Sequence, residues 1–109
     1  MKDRVLQINE KAQHLLAEIF SKEIEIPMDL FISVTDVDCE SNLKTAVVSV
    51  SVLPFSRAEE GFAYLIKRKG LIQNLFGKRF NMKFTPILTY KLDETGETTD
   101  KIYRLIDSL

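Results

Sequence analysis

Few residues of this chain have the type and spacing for covalent chemistry. Its one histidine, His14, and its one cysteine, Cys39, stand 25 positions apart on different expected elements. A thiol nucleophile and its base must come within hydrogen-bond reach, so spacing lends a Cys–His pair no support. An exposed His14 and a half-buried Cys39 at a strand end are expected instead. Asp36, Asp38 and Glu40 alternate and could turn three carboxylates to one side, the donor type that a hard cation takes. A calcium loop needs a longer oxygen-rich run with a glycine at a fixed place, so a solvated strand end is the expected reading. Neither G-x-x-x-x-G-K-[ST] nor a G-x-G-x-x-G after a strand occurs. Gly61, Gly70, Gly77 and Gly96 lie too far apart to cradle a phosphate. Neither a disulfide nor a cysteine-based metal cluster is expected from a lone cysteine.

The chemistry that the residues do favour is the binding of a polyanion. The stretch LIKRKGLIQNLFGKRFNMKF at 65–84 carries Lys67, Arg68, Lys69, Lys78, Arg79 and Lys83 and no acid. From 61 to 92 there are seven basic and no acidic residues, whereas the rest of the chain holds eight basic and sixteen acidic ones. The formal net charge of −1 conceals this division, which appears only when charge is read by segment. Cations interleaved with glycine, asparagine and aromatics at a helix–turn–helix suit a phosphate backbone. N–H groups at a helix start can bind its oxygens. Gly70 would let that backbone approach closely, and Gln73 and Asn74 could bond bases or sugars. A solvated face is the competing reading. At ideal helical spacing Arg79 falls in the apolar stripe beside Phe76, so it must snorkel or the helix must already have ended.

The elements that must position these groups follow from periodicity. At 109 residues, 45% hydrophobic and 28% charged, the chain fits one globular domain over 1–109 with a single core. No apolar run approaches the length of a membrane span. The N-terminus is polar and helical in pattern, unlike a signal peptide, so a cytoplasmic protein is the default. Val5, Ile8, Ala12, Leu15, Leu16 and Ile19 form a stripe that predicts a helix over 3–20. Strands are expected over 30–37 and 43–53, the second with Ala46, Val48, Val50 and Val52 on one face, joined as an antiparallel hairpin by DCESN. SRAE at 56–59 fits a capping box between Ser56 and Glu59. A helix carrying Phe62, Leu65 and Ile66 then runs to Gly70, where a kink or tight turn leads into a second helix with Ile72, Leu75, Phe76 and Phe80. A third strand is expected over 82–92, with Pro86 suggesting an edge or a bulge. Thr98 or Thr99 would cap a closing helix carrying Ile102, Leu105, Ile106 and Leu109. The order α-β-β-α-α-β-α predicts an α+β domain, a three-stranded sheet packed against helices. It is the order of a type II KH domain, a single-stranded nucleic-acid binding module.

Three stretches in this order resemble the bacterial ribosome-binding factor A family from residue 4 to the end. TDV at 35–37 with NLKTAVVSVSVL at 42–53 is similar to the family's V-T-D-V … D-L-R-x-A-x-V-Y-V-S-V-L strands. GLIQNLFGKRFNMKFTPIL at 70–88 resembles its G-F-I-R-x-x-L-x-K-R-L-x-L-R-x-T-P-x-L segment. YKLDET at 90–95 and IYRLI near the end resemble its F-x-x-D-E-S and I-x-x-L-L. Three departures stand out. The family's Ala-x-Gly kink reads Arg68-Lys69-Gly70, its arginine after G-F-I is Gln73, and its D-P-R is Ile26-Pro27-Met28. The chain stops at Leu109 without the tail of many relatives, so no contact from such a tail is expected.

What the resemblance implies is a KH-like fold without the GXXG loop and a maturation factor that is no enzyme and uses no cofactor. Such a factor binds the free 30S subunit and its 16S ribosomal RNA late in assembly, assists 16S processing and matters most in the cold. An assembly GTPase is a further implied partner. The residues expected to meet RNA are Lys67, Arg68, Lys69, Gly70, Gln73, Asn74, Lys78, Arg79 and Lys83, in a monomer. Without GXXG, affinity should rest on Lys and Arg charge and sequence readout should be poor. The rivals are a general single-stranded RNA or protein-interaction module that uses the sheet or the acidic first helix, and an enzyme, which would need a polar pocket with perturbed ionisable groups.

Overall fold

The computed structural model describes residues 4–93 and 105–106 of the chain. Helix α1 (Arg4–Lys22) buries Ile8, Ala12, Leu16 and Ile19 of the expected stripe together with Phe20, while Val5 and Leu15 are only partly buried. His14 lies exposed on its outer side. Strands β1 (Phe31–Cys39) and β2 (Thr45–Leu53) pair antiparallel, with Val34 opposite Val50 and Asp36 opposite Ser49, so that Thr35 bulges out. A bulge inserts one residue and re-aims those after it. Here Val37 and Cys39 thereby return to the core face, while Asp36, Asp38 and Glu40 are exposed. Among the described residues no group of three His, Cys, Asp or Glu side chains is disposed to hold a metal ion.

Two helices cross from β2 to the next strand: α2 (Ala58–Lys67), after a short 3-10 turn at Phe55–Arg57, and α3 (Lys69–Phe80). Strand β3 (Ile87–Leu92) then lies parallel to β2, from Thr45 opposite Ile87 to Val50 opposite Leu92. Strand β4 (Leu105–Ile106) pairs antiparallel with Tyr90 and Lys91. The expected sheet of three strands packed against helices is thus present, and β4 adds a short fourth in the order β1-β2-β3-β4.

Several local expectations need correcting. The Ser56–Glu59 capping box does not form: α2 starts after Arg57, whose side chain makes no capping hydrogen bond. Instead the Arg57 guanidinium joins Asp29 (2.6 Å) and Glu60 (2.7 Å), pinning the approach to β1 onto the start of α2. It holds both carboxyl groups below their ordinary range. The break between α2 and α3 falls at Arg68, whose φ of −105° and ψ of 12° interrupt the helix, and Gly70 lies inside the first turn of α3 at an ordinary negative φ. The third strand begins at 87, not 82, because α3 continues to Phe80 and ends at Asn81 in the left-handed conformation. Asn is, after Gly, the usual residue there. Pro86 is buried just ahead of β3, so it marks neither an edge strand nor a bulge. At 105–106 the backbone is strand where a closing helix was expected; the rest of that stretch lies outside the described residues.

The core lies between the helices and the sheet. Ala46, Val48, Val50 and Val52 of β2 share one buried cluster with Leu65 of α2 and Ile72, Phe76 and Phe80 of α3. Cys39 is buried, not half-buried, and its backbone N–H donates to Asn9 Oδ1 at 2.8 Å. Burial, then the neighbouring Asp38, raises the thiol's pKa. Tyr90 carries a cost at the centre of this core. Its hydroxyl meets no hydrogen-bond partner among the described residues, and burial holds the phenol well above its ordinary range. A buried polar group without a partner costs about 1–3 kcal/mol. Tyr90→Phe is therefore expected to stabilise the fold by about 1 kcal/mol, read as a higher urea midpoint at unchanged slope.

Candidate nucleic-acid interface

Helix α3 presents two rows of residues four apart, offset by two positions. Ile72, Phe76 and Phe80 are buried, and the Phe76 and Phe80 rings stack at 4.6 Å. At about 100° per residue the other row, Gly70, Asn74 and Lys78, points the opposite way and is exposed, with Leu71 and Gly77 beside it. A Cβ built on Gly70 would meet nothing within 4 Å. The row is therefore low and open, with a carboxamide at its middle and an ammonium at its end. Lys67 at the end of α2 and Lys83 beyond α3 are exposed at its two ends.

The nine residues expected to meet RNA divide accordingly. Lys67, Gly70, Asn74, Lys78 and Lys83 share exposure on or beside this face. Arg68 folds back onto α2: its Nη1 donates to the Tyr64 carbonyl at 3.0 Å and its guanidinium lies 3.5 Å from the Tyr64 ring centroid. Lys69 is half-buried. Arg79 escapes the apolar stripe by pointing toward α1, where Nη2 donates to Glu23 Oε2 at 2.8 Å with both side chains a little over one-third exposed. Its charge is locally compensated.

Gln73 has been given another task. Its Nε2 donates to the Pro86 carbonyl and its Oε1 accepts from the Leu88 N–H, both at 3.0 Å. Leu88 N–H points away from β2, and β4 reaches only Tyr90 and Lys91. The Gln73 amide thus replaces a neighbouring strand at the start of β3. Gln73→Ala leaves a donor and an acceptor unpaired in a half-buried place, and is expected to destabilise the fold by about 1 kcal/mol. Amide exchange at Leu88 should accelerate more than at Tyr90.

Two further cations, missed in the sequence, stand on α1 near the end of α3. Lys11 Nζ stands 5.6 Å from the Phe80 ring centroid. Arg4, Gln7, Ile8 and Lys11 line an open groove of about 510 Å³ with Met82 of the α3–β3 connection. Their distance in sequence from 65–84 hid them; only the packing of α1 against α3 brings them there.

This geometry offers exposed ammonium groups around a flat helix face. The groove's polar side chains are those of Arg4, Gln7 and Lys11. Such a face suits the binding of a polyanion. The chain is similar to the ribosome-binding factor A of Natranaerobius thermophilus, 29% identical over 104 residues that cover 94% of this chain and 79% of that protein. The solution NMR structure of a Thermotoga maritima protein ascribed to ribosome binding factor A superposes with a TM-score of 0.68 at 23% identity, covering 93% of this chain and 99% of that one. The crystal structure of ribosome-binding factor A from Thermus thermophilus gives 0.66 at 17% identity, covering 81% and 94%. Both establish the α+β fold. The sequence profile of the family Ribosome-binding factor A matches residues 4–106, and the chain belongs to that family of ribosome-binding factors, which are not enzymes.

Proposed function

We propose that the chain is a single type II KH-like domain that binds the free 30S subunit through its 16S ribosomal RNA and assists late maturation and processing of that RNA. The observation that carries this reading is the open row Gly70, Asn74 and Lys78, flanked by Lys67 and Lys83 within a stretch that holds no acid. Phosphates approach a helix face closely where side chains are short, and surrounding cations neutralise them. Without a GXXG clamp, specificity comes from the shape of one folded RNA site rather than from bases. The reading includes a cytoplasmic location, a role that grows in the cold and an assembly GTPase among the partners, all of which rest on the family.

Co-sedimentation with ribosomal particles tests it. Wild type is expected to pellet with free 30S subunits and not with 70S ribosomes, whereas Lys78→Glu/Lys83→Glu stays at the top of the gradient. Arg79 is left intact because Arg79→Glu would set a carboxylate against Glu23 and confound folding with binding. Equal pelleting of both proteins refutes the assignment of the face.

One observation favours a protein-interaction surface as a second reading. Phe31 and Leu53 are register partners across β1 and β2, and both are exposed. Met28, 98% exposed, precedes them. Binding through this end of the sheet would survive the double charge reversal.

A further inference from the structure

Phe84 is 72% exposed within the cationic segment. Single exposed apolar side chains are ordinary, so exposure alone means little. Its neighbours give it meaning. Lys83 Nζ stands 5.6 Å from the ring centroid, and no acid occurs between 61 and 92. The other exposed phenylalanine, Phe31, lies in the acidic part of the chain, two residues from Asp29.

The connection that carries the ring is held from both sides. Asn81 closes α3 with a left-handed turn, and Met82 lies in the groove against α1. After Phe84, the Thr85 side chain packs beside Gly77, 3.9 Å from where a Cβ would stand, and the buried Pro86 accepts from Gln73. Phe84 is thus carried by a short connection anchored at each end, beside the α3 face that bears Lys78. A flat, pre-positioned aromatic among cations is what an unpaired base stacks upon, and every base offers a face for it. A duplex hides those faces.

We propose that Phe84 is a stacking platform for one unpaired nucleotide, with Lys83 neutralising an adjacent phosphate. The proposal rests on the RNA-binding reading above and adds that the bound RNA is single-stranded at this point.

Binding of a short oligouridine and of an RNA duplex, each measured across a salt series, tests it with wild type, Phe84→Ala and Phe84→Trp. Phe84→Ala should bind oligouridine roughly tenfold more weakly. Its salt dependence should be unchanged, because stacking releases no counterions, and its affinity for the duplex should be unaltered. Phe84→Trp should bind at least as well as wild type. It introduces the only tryptophan in the chain, whose emission should be quenched by oligouridine. Wild-type affinity in Phe84→Ala, or unchanged emission in a bound Phe84→Trp, overturns the stacking role while leaving the RNA reading intact. Equal weakening for the duplex replaces stacking with a general packing effect and also overturns it. If wild type binds neither RNA, both readings fall together.

Discussion

Raising the salt concentration fourfold is expected to weaken binding of single-stranded RNA about a hundredfold. Each phosphate neutralised on a single strand contributes about −0.7 to the slope of log K against log salt, so about five contacts give roughly −3.5. The exposed cations Lys67, Lys78 and Lys83, joined by Arg4 and Lys11 of the α1 groove if α1 shares the interface, supply that number. Individual substitutions then separate. Lys78→Gln should make the slope shallower by about 0.7, and Lys11→Gln by a similar amount if α1 shares the interface. Arg79→Gln should leave it nearly unchanged, because Glu23 already balances that charge. A flat salt response in the wild-type protein would exclude a phosphate-binding face, whatever the affinity.

The second large effect concerns Gly61 and changes sign with its neighbour. A Cβ on Gly61 would stand 2.6 Å from Val52 Cγ1. Val52 is 2% exposed on β2, between β1 and β3, and a β-branched side chain has little freedom to turn away. Overpacking of this kind costs about 1–3 kcal/mol. Alanine's better helix propensity returns up to about 1 kcal/mol. Gly61→Ala is accordingly expected to destabilise the wild type by up to about 2 kcal/mol, once that propensity gain is set against the overpacking. In a Val52→Ala background the obstructing methyls are gone, and the same substitution should stabilise by about 1 kcal/mol. Urea unfolding of the four proteins of this cycle measures the coupling. Additive effects would mean that α2 moves away from the sheet freely.

Periodic elements were legible in the sequence because their side chains answer to one shared core. Most of the α1 stripe and the Ala46, Val48, Val50 and Val52 face of β2 are buried as their spacing required, although Ser49 on the other face is buried too. What was not legible depended on partners distant in the chain. Gln73 reads as a polar residue on a basic helix until β3 brings Pro86 and Leu88 beside it. Arg79 reads as a free cation until Glu23 arrives from 56 positions away. Gly70 attracted the helix break through its lack of a Cβ, although the chain turns at Arg68 with an ordinary φ. The stretch at 82–86 looks like strand from its composition, but the length of α3 decides where pairing can begin. Leu105 and Ile106 are too short an apolar run for periodicity to separate strand from helix.

The parallel pairing of β2 with β3 sets the order in which the molecule can assemble. The β1–β2 hairpin closes a short loop and needs nothing downstream. Bringing Ile87 beside Thr45, by contrast, requires α2 and α3 to be folded into the crossover between them, at a greater loop-closure cost. A chain emerging from the ribosome can thus complete its acidic, hairpin-bearing half first. The cationic face acquires its shape only once β3 has emerged and Gln73 has captured it. On the RNA-binding reading, affinity for RNA is then expected only once the domain is nearly whole.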